Sequence, residues 1–535
     1  MTNSARDRPP RRGSHLGYER KPGCRCLLSF LAALNLLGPI TPAQAAPPGS
    51  QDITAVIDLR LAEGWTAARV RPAARADDAT FHRRVMLDLI GRIPTGAESA
   101  AFLEDKSADK RTRLVRRLVS SAGHARHTAT FWRQQWVPQA NVPQFALLAD
   151  EIDDWLAGRL REGASYDQLA RELITASPQN GTAPPSNEQE KGFAAFLAAS
   201  EYKPENLAAN TARAFLGINL DCAQCHDHPF ARWTRNQFWE TAAFFARPAA
   251  ANALPVRLQL EIPDTRASVG PKFLSDPQPV WPDALHDDTG RKVLAQWVAS
   301  PDNPWFARNA VNRLWAALLG SGIVEPLDDL SAENAASHPQ LLDELAQAFR
   351  ESGFDLKLLT TAIVLSEAYQ LSSTETSEDV TPDPRLFNRF NVRAISGEQL
   401  FDSLRIAAGM PPVRDDVDTQ AVRERSRFAE RFRGAGGPQR SILQALSLMN
   451  GDLTSRVTHP EKSPTLRAIA DAPFLDAPEK IDLLFLAAIG RLPTGQERHS
   501  LAAAITAADN DLGARSALAD ILWALVNSSE FSTNH

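Results

Sequence analysis

Apolar residues recur every three or four positions along most of this chain, the period of a helix with one buried face. In "DITAVIDLRLAEGW", Ile53, Val56, Ile57 and Leu61 fall on one side, behind Asp52 as the expected cap. In "FHRRVMLDLIG", Phe81, Val85 and Leu89 do the same, and Gly91 marks the stop. The period continues through "YDQLARELITAS", "NPWFARNAVNRLWAALLG", "SHPQLLDELAQAFRESG", "LKLLTTAIVLSEAYQ", "SGEQLFDSLRIAAG" and "RSALADILWALVNSS". Strand-like alternation is confined to "PVRLQLEIP", where Val256, Leu258, Leu260 and Ile262 predict a short hairpin with "GPKFLS". The expected fold is mainly α. Two helical halves, residues 46–247 and 283–535, are joined by a proline-rich segment, 248–282, that carries the small β-hairpin.

One pattern occurs twice. "LDLIGRIPTGAESAAFL" near the start is echoed by "LAAIGRLPTGQERHSLAAAI" near the end. In each, a helix closes at a glycine (Gly91, Gly490) and a Gly-Arg-x-Pro-Thr turn follows. The threonine then opens a new helix with a glutamate three residues on, Thr95 with Glu98 and Thr494 with Glu497. That spacing is a capping box. Each unit ends in a further helix and serines, so Arg92 and Arg491 should occupy equivalent places, solvated or paired with helix-end carbonyls.

Composition narrows the setting. Residues 1–45 combine a basic leader, the apolar run "LLSFLAALNLLGPI" and the small-residue site "AQA", the build of a signal peptide. The chain is expected to be exported to the periplasm or cell envelope. The whole sequence carries −6, and those 45 residues hold seven Lys/Arg against two acids, so the remainder stands at −11. A chain this acidic without a basic run is a poor partner for nucleic acid. No later apolar stretch reaches membrane-spanning length, so no transmembrane segment is expected after signal cleavage.

The chemistry concentrates in "GINLDCAQCHDHPFARW", residues 217–233. Asp221 reads as the cap of a short helix that Pro229 limits. On one turn Cys222, Cys225 and His226 share a face. Cys-x-x-Cys-His is the attachment signature of c-type haem: two thiols reach two vinyl groups while the imidazole meets the iron. On that reading His226 is the proximal ligand, with Asp227 orienting it and His228 beyond it in a supporting place. Zinc held by Cys222, Cys225, His228 and a remote fourth ligand is a second reading. A disulfide or redox-active pair is a third, although so short a loop adds little stability. A sixth iron ligand is not legible. Met86 and Met449 read as core residues, and His82, His124 and His127 as surface or capping histidines. Asn312, Arg313, Asp328, Asp329, Asn334 and His338 read as turn and cap chemistry.

"FLGINLDCAQCHDHPFARWTRNQFWETAAFF" resembles the cytochrome-like half of an exported two-domain family of unknown function, abundant in planctomycetes. The stretch from "NPWFARNAVNRLWAALLG" to "SEAYQLSS" resembles its companion C-terminal domain, and "RAISGEQLFDSL" and "RSILQALSLMNGDL" extend the likeness. The resemblance implies export and a sulfatase-like exported protein as partner, while the haem reading calls for a periplasmic electron carrier. "HTATFWRQQWVPQAN" departs from it, being thin in the family's Trp-Tyr-Asp pattern. The leading expectation is an exported c-type haem protein in electron transfer or redox sensing. The alternative is a non-haem helical scaffold, holding zinc or a disulfide, that serves exported polysaccharide or sulfate-ester degradation. No phosphate-binding glycine loop, nucleophile elbow or metalloprotease motif is present, so a hydrolase would need a site the sequence conceals.

Overall fold

The helix Asp78–Ile90 lies at the middle of the molecule and is buried on nearly every side, including His82, Arg83 and Arg84. The structure, a computed structural model, describes residues 48–141, 146–176, 188–246, 258–265, 267–282, 285–286, 288–374, 383–413, 418–432 and 441–535. The 1–45 leader and residues 248–257 of the proline-rich segment lie outside the described residues. Pro47–His535 pack as one compact unit. The fold is mainly α, as the periodicity predicts, with two small antiparallel sheets. No described helix is long and apolar enough to cross a membrane.

The predicted hairpin forms as β1 (Leu260–Glu261) against β2 (Ser268–Val269), so the returning strand lies immediately before "GPKFLS". β3 (Arg393–Ala394) pairs with β4 (Thr533–Asn534) at the end of the chain, a pairing that no alternating pattern announces. Apolar packing divides the chain differently from its proline content. One core runs from Ile53 to Phe390, and a second joins Leu87 and Ile93 to residues from Ile395 to Phe531. The hairpin segment therefore separates no cores. The Ser50–Ala68 helix packs on the Pro339–Glu351 and Leu356–Leu365 helices, across the whole length between them.

Two local expectations change. The first helix begins at Ser50, and Asp52 acts from inside its first turn, its carboxylate accepting from the Gly49 N–H at 2.9 Å. Met86 is core as expected, whereas Met449 is exposed, because its helix, Ile442–Asn450, turns an apolar face outward.

The two Gly-Arg-x-Pro-Thr elbows match bond for bond. Thr95 and Thr494 accept from Glu98 N and Glu497 N at 3.1 and 3.3 Å, and the glutamates accept in return from Thr95 N and Thr494 N at 2.8 and 2.7 Å. Arg92 and Arg491 each grip the same glutamate with two nitrogens, at 2.8 and 3.0 Å and at 2.9 and 3.0 Å. Each also donates to the next carbonyl, Ile93 and Leu492. The arginines are therefore paired chiefly with the capping carboxylate. Burial alone would raise the Glu98 carboxyl, but the Arg92 guanidinium and the Thr95 N–H bring it down to about 2. The echo extends to Ser121 and Ser528, each of which caps the next helix and donates to a carbonyl three residues back at 2.7 Å. Only the second arginine gains another partner, Glu530, at 2.6 and 2.9 Å.

The elbow glycines differ in what surrounds them. Both have positive φ, 78° at Gly91 and 80° at Gly490. A methyl group at Gly91 would lie 2.6 Å from His127 Nδ1, while at Gly490 the nearest atom is Pro94 Cγ at 3.4 Å. Gly490→Ala should cost about 1 kcal/mol, the left-handed penalty alone, and Gly91→Ala about 2–3 kcal/mol because packing must also yield. Equal denaturation midpoints for the two variants would refute this account.

The core histidines set a pH limit. His82 and His124 are buried, not at the surface, with His82 stacked on Phe102 at 4.6 Å and His124 donating from Nδ1 to the Leu89 carbonyl at 3.0 Å. Burial pushes both down to about 4 from 6.5. The unfolded chain binds these protons near pH 6.5 and the fold only near 4, so stability falls as pH drops through that window. The expected loss is about 1–3 kcal/mol per histidine. The paired Glu98 and Glu497 carboxyls, held at about 2 in the fold, add their loss only below 4.5. Urea titrations at successive pH values check this, and His124→Gln should flatten the slope. A pH-independent midpoint through the window would overturn it.

Candidate functional site

The helix Pro204–Thr211 continues as a π turn, Ala212–Leu216, and stops at Gly217 with φ 64°. That stop is clamped by residues about a hundred positions further along the chain. Asn309 Nδ2 donates to the Ala214 carbonyl at 2.7 Å, and Leu330 N to the Gly217 carbonyl at 2.9 Å. Ile218 and Asp329 form an antiparallel bridge. Arg313 reaches the same place, donating to the Arg213 carbonyl at 2.8 Å and to Gln135 Oε1 at 2.9 Å. Asn312 is buried and pairs with both backbone groups of Val324, at 2.8 and 2.9 Å. Asn334 holds the facing loop through the Glu325 and Asp329 carbonyls, at 3.0 and 2.8 Å. Asn309, Asn312, Arg313 and Asn334 thus serve the framework.

The Cys-x-x-Cys turn follows this clamp. It is a short 3-10 helix, Asp221–Gln224, with Cys225 at its end. Asp221 does not cap it; Asn219 Oδ1 accepts from Asp221 N at 3.1 Å instead. From below, Ala223 is buried and the Trp239 indole donates to the Gln224 carbonyl at 3.0 Å. In a 3-10 turn, residues three apart eclipse, which places Cys222 and Cys225 on the same side. Both are free thiols and both are exposed, as is His226. Phe230, further along the same loop, is 89% exposed. A cavity of 380 Å3 opens between His228, Phe230 and Trp233 on one wall and Asp328, Asp329 and Glu333 on the other.

The two histidines have opposite dispositions. His226 Nδ1 lies 2.7 Å from the Asp227 carbonyl, which can only accept, so Nδ1 carries the proton and Nε2 keeps a lone pair. The Asp227 carboxylate is used elsewhere, accepting from Arg235 N at 2.8 Å at the start of the Arg235–Ala242 helix. Asp227 therefore orients His226 through its backbone, where the sequence had suggested the side chain. His228 Nδ1 faces two backbone donors, Phe230 N at 3.2 Å and Ala231 N at 2.9 Å, and is the unprotonated nitrogen. His228 N itself donates to the Trp233 carbonyl at 2.8 Å. This histidine ties off the loop.

These dispositions decide which group the residues suit. A neutral histidine ligating through Nε2 needs its proton on Nδ1. His226 meets that requirement and His228 does not. Zinc on Cys222, Cys225 and His228 would require His228 to surrender two backbone bonds. Among the described residues no three His, Cys, Asp or Glu side chains converge where a metal ion could sit. A haem asks for less convergence, since its thiols meet the ring edge and only the imidazole meets the iron. Cys222, Cys225 and His226 supply the thiols and the imidazole such a group takes, although none of the three lines the neighbouring cavity. Of the other ligands weighed, His124 and His127 face a different cavity.

The geometry defines a mainly helical protein that presents a Cys-x-x-Cys-His turn to solvent. Residues 56–249 match the family PSCyt2, a protein of unknown function (DUF1549), and residues 290–428 match PSD1, a protein of unknown function (DUF1553). The turn lies in the first region and its clamp in the second. No curated protein and no solved structure matches the chain.

Sequence spacing had singled out Cys222, Cys225, His226 and His228, but not Asn219, Trp239 or Asn309, which place them. A conventional glycine stop marked Gly217 without showing how tight it is. A methyl group there would lie 2.8 Å from Asn309 Oδ1 and 2.9 Å from Leu330 Cδ1, at positive φ. Gly217→Ala should destabilise the fold by about 2–3 kcal/mol and speed amide exchange across the turn. A variant as stable as the parent would show that the clamp does not hold the site.

Proposed function

We propose that the protein is an exported c-type haem protein acting in electron transfer or redox sensing. The observation that carries this reading is the pairing of two exposed thiols on one turn with a histidine whose Nε2 is left free by the Asp227 carbonyl. Bound haem would supply a one-electron iron couple at the surface. Cys222 and Cys225 would hold it by thioethers and His226 by its Nε2. Asp227 fixes the ring and raises its donor strength. Asn219 and Trp239 keep the two thiols on one side. His228 closes the loop that follows and makes no bond to the group. Export rests on the signal-like residues 1–45 and on the oxidising compartment in which such attachment occurs. A periplasmic electron carrier is the partner this chemistry needs.

Co-expression with a c-type maturation system should give a covalent mass increase of one haem and a pyridine haemochrome spectrum. Cys222→Ala and Cys225→Ala should each reduce covalent retention, and together remove it. His226→Ala should keep attachment and change the spectrum, while His228→Ala should leave ligation intact with a loosened loop. Protein recovered at its unmodified mass under these conditions would reject haem. Equal dependence on His228 and the cysteines would point to zinc, and dispensable histidines to a disulfide.

A further inference from the structure

The Ile442–Asn450 helix carries its apolar residues on the wrong side for a lone subunit. Ile442, Leu443, Leu446 and Met449 are 80%, 76%, 48% and 40% exposed. At i, i+1, i+4 and i+7 they form one stripe, and it faces solvent. The inward side is held by Leu448 and by a glutamine, Gln444, both buried. Gln444 is engaged there, its Oε1 accepting from Ser441 N at 3.0 Å and its Nε2 donating to the Arg431 carbonyl at 3.4 Å. The helix thus buries an amide and exposes its aliphatic side chains, the reverse of an ordinary surface helix.

The stripe is also free of charge. From Ser441 to Gly451 the sequence has no Asp, Glu, Lys or Arg. Trp523, on the Asp511–Val526 helix, adjoins its end, the indole donating to the Met449 carbonyl at 3.2 Å while 37% of the residue stays exposed. Other exposed large apolar side chains among the described residues, such as Leu59, Tyr202 and Phe474, are scattered along the sequence, and single ones are ordinary. An uncharged apolar group with an aromatic residue at its edge has the composition of an interface centre.

We propose that this face joins two copies of the chain about a two-fold axis. Three observations select a second copy as the occupant. At their exposures the five side chains present roughly 500 Å2 per copy, about 1,000 Å2 across a pair, the lower bound for a specific association. The chain beyond residue 45 carries −11, so two copies repel except where a neutral face lets them meet. The helix has no Lys or Arg to meet lipid headgroups, and an acidic chain is repelled by an anionic leaflet, so a membrane surface suits it less. A two-fold pairing needs only that the patch match itself, and antiparallel helices crossing near Leu446 lay stripe on stripe. The helix lies beyond both family matches, and the inference stands whether or not haem is bound.

Sedimentation equilibrium of the compact unit Pro47–His535 tests the proposal. Reducing conditions keep the exposed Cys222 and Cys225 from bridging copies. The mass should rise from one chain to two across the micromolar range, as suits an interface of this small area. Leu443→Glu combined with Leu446→Glu puts like charges across the axis at exposed, helix-compatible positions. It should weaken dimerisation by about a hundredfold or more and leave the circular dichroism spectrum unchanged. If that variant does not fold, amide exchange of the unaltered protein decides: the amides of 442–449 should exchange more slowly at high concentration than at low. The proposal fails if the mass stays that of one chain, if the folded double variant dimerises like the parent, or if that exchange is independent of concentration. A monomeric chain that sediments with phosphatidylcholine–phosphatidylglycerol vesicles, and loses this in the double variant, would overturn it in favour of a membrane surface.

Discussion

Two guanidinium groups on adjacent residues at the centre of the protein impose the main constraint on everything around them. Arg83 and Arg84 sit on the Asp78–Ile90 helix, almost wholly shielded from water. A buried charge without partners is prohibitively unfavourable, so the structure must bring acceptors to it. Those acceptors are backbone carbonyls from distant parts of the sequence. Arg83 takes Ala488, Glu530 and Phe531; Arg84 takes Tyr369, Leu371 and His535 and lies 3.6 Å over the Phe390 ring. Burial lowers both to about 10, which still leaves them charged at neutral pH. The last residues of the chain are thus required by an early helix, and the two cores meet around it.

The same logic of distant clamps positions the Cys-x-x-Cys turn. Its own residues form one short 3-10 turn, too small to be rigid alone. Asn309, Arg313 and Leu330 hold its base from the second family region, and Trp239 holds its end from below. The exposed thiols and imidazole therefore stand on a fixed platform. The polar residues that make the platform look like ordinary loop composition in the sequence because they bond to backbone. What distinguishes them is where their partners lie.

The elbows and the turn also show why some functional detail escaped a reading by spacing. Thr95 with Glu98 and Thr494 with Glu497 are local, and local hydrogen bonds follow from spacing alone. The bidentate arginine on each glutamate is nearly as local, yet a surface arginine has many possible acceptors, and helix-end carbonyls were the expected ones. The cavity that His124 and His127 face is less accessible still. Thr128, Phe131 and Trp132 sit on one helix, but Arg393 and Arg425 come from segments some 260 to 300 residues away. No periodicity records that they face one another.

By itself the sequence determined the helices, their stops at Gly91, Gly217 and Gly490, the duplicated elbow, the short hairpin and the common side of Cys222 and Cys225. All depend on contacts within a few residues, where backbone geometry leaves little choice. Only the tertiary structure decided that His82 and His124 are buried and neutral, since a helical period does not say whether the opposite face is also covered. It also decided that His226 keeps a free Nε2 while His228 does not, because two residues further along the loop the ring meets backbone donors in place of a carbonyl. The second core likewise closes on Leu87 and Ile93, and β4 returns to β3, for a reason no local pattern contains: the carbonyls that the buried arginines need are supplied by the far end of the chain.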